Sequence, residues 1–112
     1  MLRSLPLMPR VRIGTGRDFR DLAGGRAWPH SPDEWFFEID GEFIDAATSS
    51  EEEVVEEAER QLYEFHGEVV EAMIRDFVAK GRPAAARALM ERQRKYRLAA
   101  SERAAANGRT LR

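Results

Sequence analysis

From Val55 to Phe77 the apolar residues of this chain recur at helical spacing: Val55, Ala58, Leu62, Phe65, Val69, Met73 and Phe77. Glu57, Gln61, Glu64, Glu68, Glu71 and Arg75 fall on the opposite side, as a solvated helix face requires. The pattern predicts one long amphipathic helix over residues 50–80. Thr48, Ser49 and Ser50 each precede a glutamate by three residues, so any of them can open it with a capping box. Gly81-Arg82-Pro83 closes it, with a C-terminal glycine and then a proline at the first turn of the next helix. Val70, Ile74 and Val78 widen the apolar arc beyond what one thin partner helix covers. Gly67 falls mid-helix, where glycine costs about 1 kcal/mol relative to alanine, and marks a bend or a close backbone approach.

The period changes to two in residues 34–46, EWFFEIDGEFIDA. Asp40-Gly41 between aromatic-rich runs is the preferred sequence of a two-residue type I′ hairpin turn. This register pairs Ile39 with Glu42, Glu38 with Phe43 and Phe37 with Ile44. One face then carries Trp35, Phe37, Ile39, Ile44 and Ala46, and should pack on the long helix. The other leaves Phe36 and Phe43 for the N-terminal arm or for a partner. Upstream, Arg10-Val11-Arg12-Ile13 alternates and fits a short third strand ended by Gly14-Thr15-Gly16. A helical turn fits around Arg17–Ala23, with Phe19, Leu22 and Trp28 pinning the arm to the core.

Residues 83–107 form a second helix of high intrinsic propensity with a narrow stripe: Ala85, Ala86, Leu89, Tyr96, Ala100 and Ala104. Asn107-Gly108 supplies its stop. The fold class is therefore α+β: a small antiparallel hairpin, extended to three strands if 10–13 joins it, packed on a helical hairpin with one long amphipathic helix. Residues 1–33 read as an arm, 34–107 as the hairpin and two-helix domain, and 108–112 as a frayed tail.

A chain of 112 residues suits one domain with a modest core. It has no cysteine, hence no disulfide framework and no thiolate metal site. The opening MLRSLPLMPR is broken by Pro6 and Pro9, so no signal peptide is expected, and no apolar run reaches spanning length. A cytoplasmic protein without membrane association is the expectation.

Net charge is −2, but the charges segregate. Residues 1–32 hold six arginines against two aspartates, and residues 33–60 hold twelve acids against Arg60. Residues 82–112 hold nine bases against Glu91 and Glu102. Such asymmetry fits either an acidic helix docked on a basic one or a basic end kept for a partner.

No complete catalytic, metal or cofactor motif accompanies this pattern. RIGTGRDF has two glycines of a nucleotide-binding loop but lacks the third, and no lysine stands where a phosphate loop places one. Glu59, Tyr63 and His66 share an edge of the long helix and can be read as a proton-transfer set. A partly buried, hydrogen-bonded His66 is the plainer reading. His30 sits in a proline-rich loop without ligand spacing. The carboxylates from Asp33 to Glu59 form a solvated face, a negative surface for a basic partner, or at the sharpest a mimic of a nucleic-acid backbone.

The expected function is thus non-enzymatic: a small interaction, adaptor or regulatory protein that binds another protein, or itself, through an exposed helical surface. The partner-binding candidates are Phe36, Phe43, Val70, Ile74, Val78, Arg87, Arg94, Tyr96 and Arg97. The rival is a nucleic-acid-associated accessory protein using the basic C-terminal helix, with Tyr96 for stacking. Its arginines spread around the helix, and the chain as a whole is mildly acidic.

Overall fold

In the computed structural model, which describes residues 1–24 and 28–110, Asp40 and Gly41 adopt φ of 50° and 85°. This left-handed pair is what a type I′ turn requires. The strands it joins are paired as the sequence predicts, with Ile39 opposite Glu42, Glu38 opposite Phe43 and Phe37 opposite Ile44. We number them β3 (Trp35–Ile39) and β4 (Glu42–Thr48). Past Phe37 the register shifts, so Trp35 pairs with Thr48 and not with Ala46. The bulge lies in β4, where Asp45, Ala46 and Ala47 oppose Phe36 alone.

The sheet is larger than the expected two or three strands. β1 (Arg3–Leu5) and β2 (Met8–Thr15) extend it to four antiparallel strands in the order β1-β2-β3-β4. The prolines of this segment mark the irregular places of the sheet. Pro6 falls in the turn between Leu5 and Met8, and Pro9 lies outside the paired positions of β2 on either side. The segment read as an arm therefore supplies half of the strands. It also supplies α1 (Gly16–Leu22), opened by a capping box between Thr15 and Asp18.

The chain divides into two compact units, Met1–Leu62 and Tyr63–Arg112. In the first, Val11, Ile13, Phe37 and Ile39 share one sheet face and are almost wholly buried. Val54, Ala58 and Leu62 bury the matching stripe of α2 (Glu51–Phe65). Val55, expected in that stripe, is half-buried. The opposite sheet face holds Phe36 and Phe43 under rings from the preceding segment. Phe19 meets Phe43 at 5.1 Å, Trp28 meets Phe43 at 5.2 Å, and His30 meets Phe36 at 5.2 Å between centroids. Phe19 and Trp28 do pin this segment, whereas Leu22 is exposed.

Three carboxylates in this unit are held below their ordinary pKa. Asp18 accepts first from the N-terminal ammonium, then from the Thr15 N–H at 2.9 Å and hydroxyl at 3.0 Å. Glu57 is lowered by the Arg60 guanidinium and then by Gln61 at 3.0 Å. Glu53 is lowered by the Ser49 hydroxyl at 2.8 Å and N–H at 3.1 Å, while Ser50 caps the Glu53 N–H at 3.2 Å. A depressed folded pKa gives stability that is complete above the unfolded value, about 4 for carboxylates, and is lost as pH falls through the folded value. Urea midpoints are expected to be level from neutral pH down to about 5 and to drop below about 4. Glu57→Gln should shallow that drop; an unchanged acid limb would contradict the Arg60 pairing.

The second unit carries the main correction. The long helix expected over 50–80 is two helices, α2 and α3 (Gly67–Ala79). His66 leaves helical geometry at φ −128° and ψ 51°, and its carbonyl accepts from both Val69 and Val70. Gly67 lowers the cost of the interruption, because a glycine contributes least to helix continuity. Phe65, the last residue of α2, is exposed, and His66 is half-buried without a side-chain cap bond. A Cβ at Gly67 would meet nothing within 4 Å and its φ is not left-handed. Gly67→Ala is thus expected to raise stability by about 0.5–1 kcal/mol through the unfolded chain. A lower melting temperature would show that the break itself needs glycine.

The stop of α3 is as read. Gly81 takes φ 71°, its N–H bonds Val78 O at 3.1 Å, and the Arg82 N–H bonds Phe77 O at 2.8 Å, a Schellman closure. Pro83 then begins α4 (Pro83–Thr110). Gly108 does not end this helix, since one glycine in an alanine-rich terminal turn costs only about 1 kcal/mol. The part of the expected frayed tail at 111–112 lies outside the described residues. Between α3 and α4 the buried side chains are Val69, Val70, Met73 and Phe77 against Ala85, Ala86 and Leu89. Ala100 and Ala104, placed in the stripe by periodicity, are exposed. Among the described residues no helix is long and apolar enough to cross a membrane.

Candidate interaction groove

α4 has 28 residues and α3 has 13, or about 42 Å against about 20 Å of helix. The second half of α4 therefore runs past the helix that buries its first half. Beyond Tyr96, only Ala99 among the residues through Gly108 is less than exposed. Where α4 starts this second half, a groove of about 420 Å³ is walled by Tyr63, Glu64 and Phe65 on one side and Tyr96, Arg97, Ala100 and Arg103 on the other.

Tyr63 and Tyr96 stack with centroids 5.1 Å apart and planes 6° from parallel. They form a flat apolar floor, Tyr63 buried and Tyr96 half-buried. Phe65 is 63% exposed at the rim. Charge is balanced at both ends of the groove. Arg103 bonds Glu64 at 3.1 Å, and Arg97 lies 3.7 Å from Glu71, which also accepts from Gln93 at 3.0 Å. These arginines are fixed in direction while most of each side chain remains in solvent. Rigid tyrosines with flanking arginines make a surface rich in the side chains that dominate protein interfaces.

The residues singled out from sequence separate into four places. Tyr96 and Arg97 meet in the groove. Arg87 and Arg94 are exposed on the outward side of α4. Val70 is fully buried, Ile74 half-buried and Val78 exposed on α3, so the wide arc is only partly open. Phe36 is buried, and Phe43 half-buried, in the ring cluster of the first unit, the arm alternative of the two that the sequence left open. Tyr63, Glu64, Phe65 and Arg103 are not among the partner-binding candidates; the sequence reads Tyr63 with Glu59 and His66 and places Phe65 in the apolar stripe.

A wider recess of about 770 Å³ opens beside the first turn of α2, lined by Ser50, Glu51, Glu52, Val55 and Glu56. It has no ring or base to give it specificity. Gly14 and Gly16, read against a phosphate loop, serve close packing around α1. The Gly16 N–H bonds Glu34 O at 2.9 Å, and a Cβ there would fall 1.8 Å from Ser31 O. Among the described residues no group of three His, Asp or Glu side chains is arranged to hold a metal. No family model, curated protein or solved structure matches this chain.

Proposed function

We propose that this protein is a small, non-enzymatic cytoplasmic interaction module that docks a segment of another protein in the groove between Tyr63, Phe65 and Tyr96. The observation that carries the reading is Phe65, a large apolar side chain 63% exposed beside a stacked tyrosine pair. A ring left in solvent beside an apolar groove floor forms an apolar patch that a partner gains free energy by covering. The unit around it holds eleven bases against six acids, a formal +5. The complementary partner is therefore an apolar anchor flanked by carboxylates.

Nucleic acid is the competing occupant, favoured by the same charge and by Tyr96. The exposed Phe65 ring at the rim offers an apolar contact and no phosphate contact, which favours protein. A photo-crosslinking amino acid at Phe65, and in a second preparation at the exposed Leu22 as control, separates the two. One defined protein captured from position 65 only, and lost on Tyr96→Ala, supports the proposal. Capture of nucleic acid, with a gel shift that weakens with salt and disappears on removing residues 82–112, would replace it.

A further inference from the structure

The outward side of α4, opposite Ala86 and Leu89, carries opposite charges at its two ends, Arg87 and Glu102. Arg87, Glu91, Arg94 and Leu98 follow one another at steps of four, three and four, the spacing of a coiled-coil seam. Met90 and Glu102 flank it, and all six residues are exposed. Met90 and Leu98 are 50% and 61% exposed, unusual for side chains of their size. Among the described residues, none of Arg87, Glu91, Arg94 and Glu102 is in an ion pair.

We infer that this face binds a second copy of the same chain, with the two α4 helices antiparallel and a two-fold axis beside Arg94. Measured from a point between Arg94 and Lys95, Arg87 and Glu102 lie at equal distances on opposite sides. Two-fold symmetry therefore sets Arg87 of each copy against Glu102 of the other. Met90 and Leu98 lie within one residue of the same relation, so each Met90 covers the other copy's Leu98. Arg94 faces its own symmetry mate across the axis, with Glu91 of the other copy one turn away. A parallel pairing would oppose Arg87 and Glu102 each to itself, whereas the antiparallel one sets them against each other; Arg94 meets its own mate in both, so the end charges choose the antiparallel one. The contact is isologous and closes at two copies. Its seam is largely polar, which makes the dimer weak and salt-sensitive. It uses none of the groove side chains other than their shared helix, so it stands or falls apart from the proposed docking.

The full chain, followed by sedimentation equilibrium at low salt, should show a concentration-dependent dimer that loosens as salt rises. Arg87→Glu alone and Glu102→Arg alone should each weaken it by about tenfold or more, and the double charge reversal should restore it. Because the chain has no cysteine, Arg94→Cys gives a second readout. It should oxidise readily to a covalent dimer, while Cys introduced at the exposed Arg75 should not. Phe65→Ala should leave the dimer intact. A monomer at every concentration, a dimer indifferent to the single reversals, or single losses that the double reversal fails to restore would each overturn the inference.

Discussion

Gly16→Ala is expected to destabilise the protein by about 3 kcal/mol, although alanine is the mildest substitution a glycine can receive. The position is not left-handed, so backbone strain is not the reason. A Cβ there would lie 1.8 Å from Ser31 O, 2.8 Å from Ser31 C and 3.2 Å from Pro32 Cα. These are backbone atoms, and they cannot rotate aside as a side chain would. The same approach carries two hydrogen bonds, Gly16 N–H to Glu34 O at 2.9 Å and Arg17 N–H to Pro32 O at 3.2 Å. Relieving the clash would stretch both. Gly14→Ala is the control: a Cβ there meets the flexible tip of Leu2 at 2.7 Å and the Asp18 side chain at 3.1 Å but no backbone atom, so the cost should be smaller. Urea unfolding of the two variants measures the difference, and equal midpoints would show that residues 31–34 yield freely.

Phe37→Ala should cost more, about 4 kcal/mol, because a fully buried ring is removed and its neighbours close only part of the space. Phe37 is 0% exposed and lies between Ile13 on β2 and Ile44 on β4. In a domain of this size that loss lowers the melting temperature by roughly 15 °C or more. Phe43→Ala on the opposite face, half-buried among Phe19, Trp28 and Phe36, should cost visibly less. If the two variants melted together, the division into a sealed face and a ring-covered face would be mistaken.

The functional reading rests on a smaller feature than either core. Phe65, the last residue of α2 before the break at His66, is surface and not core. Sequence periodicity placed Phe65 in the apolar stripe because its count from Leu62 is right for an unbroken helix. The count holds, since α2 runs through Phe65, but the helix ends there and the ring is 63% exposed. Tyr96 and Arg97 were legible as candidates on α4. Their neighbours across the groove were not, since Tyr63 and Glu64 are ordinary helix residues until the fold sets them opposite Tyr96 and Arg103.

What the sequence determined alone was what depends on neighbours within a few positions. Asp40-Gly41 can make a type I′ turn without outside help, and this fixed the β3–β4 register. Ser50 with Glu53, Gly81 and Pro83 set helix ends through bonds to backbone groups one turn away. The tertiary structure decided whatever depends on partners far along the chain. The strand Arg3–Leu5 is too short to declare itself and exists because Ile13 and Arg12 pair with it. Gly16 is required by Ser31, fifteen positions on, and Phe36 is covered by rings from the segment before it. Local bonds compete with water residue by residue and leave a mark in the order of amino acids. Long-range packing is selected only when the whole chain has closed.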